Sequence, residues 1–239
     1  MTRNLLKCGG WVMVVGVVGM AGAQAQTTIA SDHVDIGIAY EGGAWDLHVH
    51  QEEPAPGAEY APSEAVFVIG ESARLAGGIP NTPVATSFFG AAGSPLWVLP
   101  KTQVEDLPFL GIGTEEMSAS DWNGPLTLSL RSVSGPGDVF VWDVGAFGDF
   151  LPKMSSRDGV GAGDALSLAA GSHAHYFWGF SAPGEYEVGL SASGVHAVDG
   201  SVASDPAVYR FSVVPEPGPL SLLLAGGLLL GVRRKIHAS

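Results

Sequence analysis

Phe177-Trp178-Gly179-Phe180-Ser181-Ala182-Pro183-Gly184-Glu185-Tyr186-Glu187-Val188 joins an aromatic strand to a Tyr-led strand through a Pro-Gly turn. Aromatic and β-branched residues suit a pleated, half-buried surface, and Pro-Gly interrupts it at a defined place. Read locally, the stretch is a hairpin closing a β-sandwich. Working outward, similar β-prone segments recur at Val34–Tyr40, Ala44–His50, Ala65–Ile69, Leu126–Val133, Asp138–Val144, Ala165–Ala170, His173–Phe180, Tyr186–Ala192 and Ala207–Val214. Turn signals separate them, among them Glu41-Gly42-Gly43, Gly135-Pro136-Gly137 and Ser193-Gly194. Short strands punctuated by Gly and Pro predict a sandwich or barrel.

The interior has no long window with a helical apolar stripe. Residues 74–120 are less regular and rich in Gly and Pro, so they read as a long packed excursion with a short strand at Leu96–Leu99. Residues 145–163 read as a mobile loop. The expectation is an all-β chain: an immunoglobulin-like β-sandwich with a long irregular insertion. Bacterial surface domains of that kind often end in an aromatic strand, a Pro-Gly turn and a Tyr-led strand.

The two ends predict export. Arg3 and Lys7 precede an uncharged, mostly apolar stretch from Gly9 to Met20, and Ala21-Gly22-Ala23 and Ala23-Gln24-Ala25 offer small-x-small cleavage sites. Residues 1–25 therefore read as a secretory signal peptide. Cys8, the single cysteine, lies within it, so the exported part has neither disulfide nor thiolate chemistry. At the other end come Val214-Pro215-Glu216-Pro217, an apolar run of 14 residues from Pro219 to Val232, and Arg233-Arg234-Lys235. Fourteen residues fall short of the roughly 20 that cross a bilayer, and recruiting Val213 and Val214 makes a marginal transmembrane helix. The basic end would stay cytoplasmic.

This tail, with Pro215, Glu216, Pro217, Arg233, Arg234 and Lys235 in the characteristic places, resembles the PEP-CTERM sorting signal of Gram-negative bacteria that make exopolysaccharide. The resemblance implies recognition by an exosortase-type sorting protease. It also implies anchoring in the inner membrane before transfer to the cell surface or extracellular matrix. The expected organisation is a signal peptide over 1–25, a surface domain over 26–214 and a sorting signal over 215–239.

Between residues 26 and 214, six Lys/Arg face 23 Asp/Glu. A surface this acidic repels nucleic acid and anionic lipid and favours divalent cations.

The same segment holds six histidines, four of them in two His-x-His pairs: His48-Val49-His50 and His173-Ala174-His175. Residues i and i+2 of a strand share a face with Cα atoms about 7 Å apart, so each pair can converge on one ion. His33-Val34-Asp35 repeats the geometry with an imidazole and a carboxylate. Val49 and Ala174 would then point the other way, into the core. His48, His50, His173, His175, His33 and Asp35 are the candidate metal ligands, and imidazole-rich sets suit zinc first, then copper, nickel or iron, rather than calcium. The competing reading makes the histidines structural, hydrogen-bonded beside Trp45 and Trp178.

Glu52-Glu53 and Glu115-Glu116 read as exposed loop charge. There is no EF-hand spacing and no Gly-x-Ser-x-Gly elbow. A cupin would place Glu four or five residues after the second His of His-x-His, where Pro54 and Ala55 stand.

Several stretches together resemble the bacterial choice-of-anchor M, or surface-anchored repeat, family. They are His33-Val34-Asp35-Ile36-Gly37, Ala44-Trp45-Asp46-Leu47-His48-Val49-His50, Gly90-Ala91-Ala92-Gly93 with Leu96-Trp97-Val98-Leu99-Pro100, Gly135-Pro136-Gly137-Asp138-Val139-Phe140, and His173-Ala174-His175-Tyr176-Phe177-Trp178-Gly179-Phe180 with Pro183-Gly184-Glu185-Tyr186. The resemblance implies a surface domain connected, in some members, with metal transport components. This chain has one copy, unlike the repeat-bearing members.

Two readings follow. One is a non-catalytic, envelope-anchored domain that binds a transition metal through the paired histidines. The alternative is a structural or adhesive β-sandwich of the exopolysaccharide matrix, without metal. Trp97, Trp122 or Trp142 exposed on one face would favour the alternative.

Overall fold

The computed structural model describes residues 26–53 and 56–215. The expectations for the signal peptide, Cys8, Glu216, Pro217, the apolar run and Arg233, Arg234 and Lys235 lie outside the described residues. Among the described residues no helix is long and apolar enough to cross a membrane.

Strands dominate the described residues. In order it forms β1 (Thr27–Ile29), β2 (His33–Glu41), β3 (Ala44–Gln51), β4 (Ala58–Tyr60), β5 (Ala65–Ile69), β6 (Trp97–Leu99), β7 (Phe109–Gly113) and β8 (Leu126–Ser134). There follow β9 (Val139–Val144), β10 (Phe150–Ser155), β11 (Ala165–Leu168), β12 (His173–His175), β13 (Phe177–Phe180), β14 (Gly184–His196), β15 (Gly200–Ala203) and β16 (Ala207–Val213). One seven-residue helix, α1 (Pro83–Phe89), interrupts them. It starts where the Thr82 hydroxyl accepts from the Ala85 amide and Pro83 pre-sets the first turn; it stops at Gly90, whose φ of 116° favours glycine.

The strands make three sheets: β1-β5-β16-β14-β8-β11 with β15 beside β14, β10-β9-β13-β6, and β12-β7-β2-β3-β4. Most pairs are antiparallel, but β1–β5, β5–β16 and β2–β7 are parallel. One continuous core runs from Ile29 to Val213 and takes residues from all three sheets, including Phe67, Trp178, Phe180, Tyr209 and Phe211. A smaller core seats α1 on β9 through Phe89, Phe140 and Trp142.

The Phe177–Val188 stretch is not a hairpin. Phe177–Phe180 pairs with β9 and β6, whereas Gly184–His196 pairs with β16, β8 and β15. The turn carries the chain from one sheet to another. Tyr186 fixes that corner: its hydroxyl donates to the Ala182 carbonyl at 2.7 Å, and its ring meets Phe180 edge-on across the gap. The expected segment His173–Phe180 likewise splits, with β12 and β13 in different sheets.

Two further expectations change. The excursion over 74–120 contains the expected short strand, as β6, but also α1 and β7, and β7 lies inside the five-stranded sheet. Within 145–163, β10 pairs with β9 rather than forming a loop throughout.

Candidate metal centre

The five-stranded sheet has two chemically different faces, and strand alternation creates them. Val34, Ile36 and Ile38 of β2, Leu47 and Val49 of β3, and Leu110 and Ile112 of β7 enter the core. The intervening positions face the other way: His33, Asp35 and Gly37; His48 and His50; Phe109, Gly111 and Gly113; His173 and His175. The register aligns them in rows. Asp35 stands opposite His50 on one side and Gly111 on the other, with His175 next beyond Gly111. Gly37 stands between His48 and Gly113, with His173 beyond.

The glycines give the imidazoles room to lie over the sheet. A Cβ at Gly111 would collide with Asp35 Oδ1 and His173 Nε2, and one at Gly37 would collide with the His48 ring. At Gly113 a Cβ would come within 2.6 Å of Glu115 Oε2.

Three atoms converge above Gly111. Asp35 Oδ1 is 2.9 Å from His173 Nε2 and 3.5 Å from His33 Nε2, and the two nitrogens are 3.3 Å apart. His175 joins them: His33, His173 and His175 each present a ligand atom within 4.8 Å of the others. Asp35 is 2 % exposed, and its Oδ1 has no hydrogen-bond partner.

The far side of each ring is held by an oxygen. His33 Nδ1 lies 2.7 Å from Glu52 Oε2, His173 Nδ1 3.1 Å from Glu115 Oε1, and His175 Nδ1 3.1 Å from the Leu110 carbonyl. A carbonyl or carboxylate oxygen only accepts, so the hydrogen bonds of His33 and His175 place the neutral ring's proton on Nδ1 and leave Nε2 as an acceptor. This is how metal-binding histidines are oriented. The Nε2 atoms of His33 and His173 share a hydrogen bond at 3.3 Å beside the unpartnered Asp35 Oδ1, and a cation bound there would replace its proton. A tetrahedral zinc ion with bonds of about 2.0–2.1 Å spaces its ligands about 3.3 Å apart, in the range observed here.

Burial tunes the same groups. His175 stacks on Phe109 at 3.7 Å between ring centroids, and burial lowers its pKa to about 4. Its imidazole therefore stays neutral through the physiological range. Burial also pushes the Asp35 carboxyl above its ordinary value, against the pull of His173 and His33. Thr114, buried beside the site, braces it by donating to Ala169 and accepting from the Ser172 amide.

Of the six expected ligands, His33 and His173 come together with His175 and, in an overlapping set, with Asp35 and the further residue Glu52. His48 lies apart, grouped with Glu59 and Glu116. His50 belongs to none of these groups, although its ring centroid is 6.4 Å from that of His48. Val49 enters the core as expected, whereas Ala174 is only half-buried. Glu52, Glu115 and Glu116, read from sequence as idle loop charge, each contact a histidine. The glycine floor of β7 was also missed; its signal is the Phe109-Leu110-Gly111-Ile112-Gly113 alternation. Trp97, Trp122 and Trp142 are all buried, so they form no exposed sugar-stacking face.

No protein-family model, curated protein or solved structure matches the chain.

Proposed function

We propose that residues 26–214 form an exported, envelope-anchored domain that binds a transition-metal ion, zinc first, through His33, Asp35, His173 and His175. The observation that carries this reading is the convergence of His33 Nε2, His173 Nε2 and Asp35 Oδ1 within 2.9–3.5 Å, with both imidazoles held from behind by glutamates. Three imidazoles and one carboxylate form a donor set for zinc, copper, nickel or iron. His33 and His173 are common to two overlapping sets, with His175 in one and Asp35 and Glu52 in the other, and the proposed role is binding and presentation of metal, not catalysis.

The terminal segments supply the rest of the proposal. A signal peptide exports the domain, an exosortase-type protease recognises Pro215-Glu216-Pro217, and the apolar run with its basic end holds the chain in the inner membrane before transfer to the surface or matrix. Exopolysaccharide is the neighbour implied by that sorting route, and the acidic surface argues against nucleic acid.

The test is metal content by mass spectrometry. The full chain is purified, stripped with chelator, exposed to zinc, copper or nickel and passed through gel filtration. Retained metal that falls in a His33→Ala/His173→Ala variant supports the proposal. A wild-type chain that retains none, or a variant that retains as much as wild type, overturns it.

A further inference from the structure

We propose that the same sheet face carries a second divalent-cation site, with His48, Glu59 and Glu116 as its protein ligands. The three residues can each offer an atom within 4.8 Å of the others. His48 is only 5 % exposed, and neither of its ring nitrogens has a hydrogen-bond partner. A buried imidazole carries one donor and one acceptor, and leaving both unsatisfied is unfavourable. Its surroundings are acidic: Nε2 lies 3.2 Å from Glu116 Oε1 and Nδ1 lies 3.8 Å from Asp46 Oδ2.

The surroundings leave room for the ring and fix the backbone that carries it. Gly37, directly across from His48 on β2, has no Cβ to collide with the ring. From the seven-stranded sheet, the Tyr209 hydroxyl donates to the His48 carbonyl at 3.3 Å. Glu59 comes from β4, whose register places it opposite His50, and Glu116 follows β7. Two carboxylates on separate segments therefore meet one buried imidazole.

The two sites differ in chemistry. One imidazole and two carboxylates form a harder donor set than three imidazoles and one carboxylate, so the second site takes zinc or manganese with less discrimination. The adjacent residues Glu115 and Glu116 divide between them: Glu115 holds His173, and Glu116 meets His48. This second site does not depend on the first being a metal site.

The experiment is equilibrium dialysis of the full chain against buffered free zinc, with bound metal counted by mass spectrometry. Wild type is expected to hold about two ions, and a Glu59→Gln/Glu116→Gln variant and a His33→Ala/His173→Ala variant about one each. The glutamine variant changes two exposed side chains, and its circular dichroism melt checks that the fold is kept. An unchanged count in that variant overturns the second site. About one ion in wild type, lost with His33→Ala/His173→Ala, overturns it while leaving the first site standing. About one ion lost only in the glutamine variant supports the second site and removes the first. No bound zinc removes both.

Discussion

Asp35 Oδ1 and His173 Nε2 lie 2.9 Å apart, yet no hydrogen bond joins them. His33 Nε2, hydrogen-bonded to His173 Nε2 at 3.3 Å, faces the same point. Zinc binding to the native state alone raises stability by about 2.7 kcal/mol at a hundredfold excess over Kd, which is about 5–10 °C in Tm for a domain of this size. Asp35→Asn should remove the share of that rise supplied by the first site. Without metal it should melt no lower than wild type, because burial already disfavours the Asp35 carboxylate. Differential scanning fluorimetry with and without zinc reads both outcomes, and a full zinc response in Asp35→Asn would contradict the assignment.

Glu115 orients His173 without joining the converging atoms. Loss of such a supporting acceptor costs about 10–100-fold in metal affinity. Glu115→Gln should therefore weaken zinc binding by that factor and leave the metal-free fold unchanged. Competition with a chromophoric chelator measures it; affinity equal to wild type would show that Glu115 is only surface charge.

Gly111 is the floor of the site, and a methyl group there has nowhere to go. Gly111→Ala should displace Asp35 and His173, remove zinc from the first site and destabilise the fold by about 1–3 kcal/mol, the usual range for overpacking. Urea denaturation gives the second figure. Full zinc binding by Gly111→Ala would mean that the side chains do not lie over that residue when metal is bound.

His175 sets a pH dependence with a definite sign. Its folded pKa is about 4, below the unfolded value near 6.5. Between these values the unfolded chain takes up a proton that the folded chain refuses, so this contribution to stability is present above pH 6.5 and is lost as pH falls toward 4. Urea denaturation of metal-free wild type and His175→Gln at pH 7.5 and pH 5 should show a larger loss in wild type. Equal losses would place His175 in a more solvated setting.

Tyr186 closes the corner between sheets through one hydroxyl. Tyr186→Phe removes its bond to Ala182 and should cost about 1–1.5 kcal/mol, with zinc affinity unaltered. A thermal melt and the chelator competition check the two halves separately.

Much of the strand content was legible because alternation is local. Ala65–Ile69 could be read to the residue, and β2 and β3 to within one residue at each end. The same alternation put His33 with Asp35, and His173 with His175, on shared faces. Pairing partners were not legible. Whether Phe177–Phe180 turns back on itself or crosses to another sheet depends on Tyr186 packing inward, a long-range event. Glu52 and Glu115 looked like loop charge because their histidine partners lie 19 and 58 residues away. β7 was hidden because two of its five residues are glycine, which weakens a strand signal and here opens the space above it.

The parallel arrangement of β1, β5 and β16 has a mechanical consequence. Thr27 begins its pairing opposite Ala65, while Val213 ends its pairing opposite Ile69, at the far end of β5. Tension applied between residues 26 and 215 draws β1 and β16 in opposite directions along β5. The backbone hydrogen bonds of these pairs then bear load in shear, together, rather than peeling open one at a time.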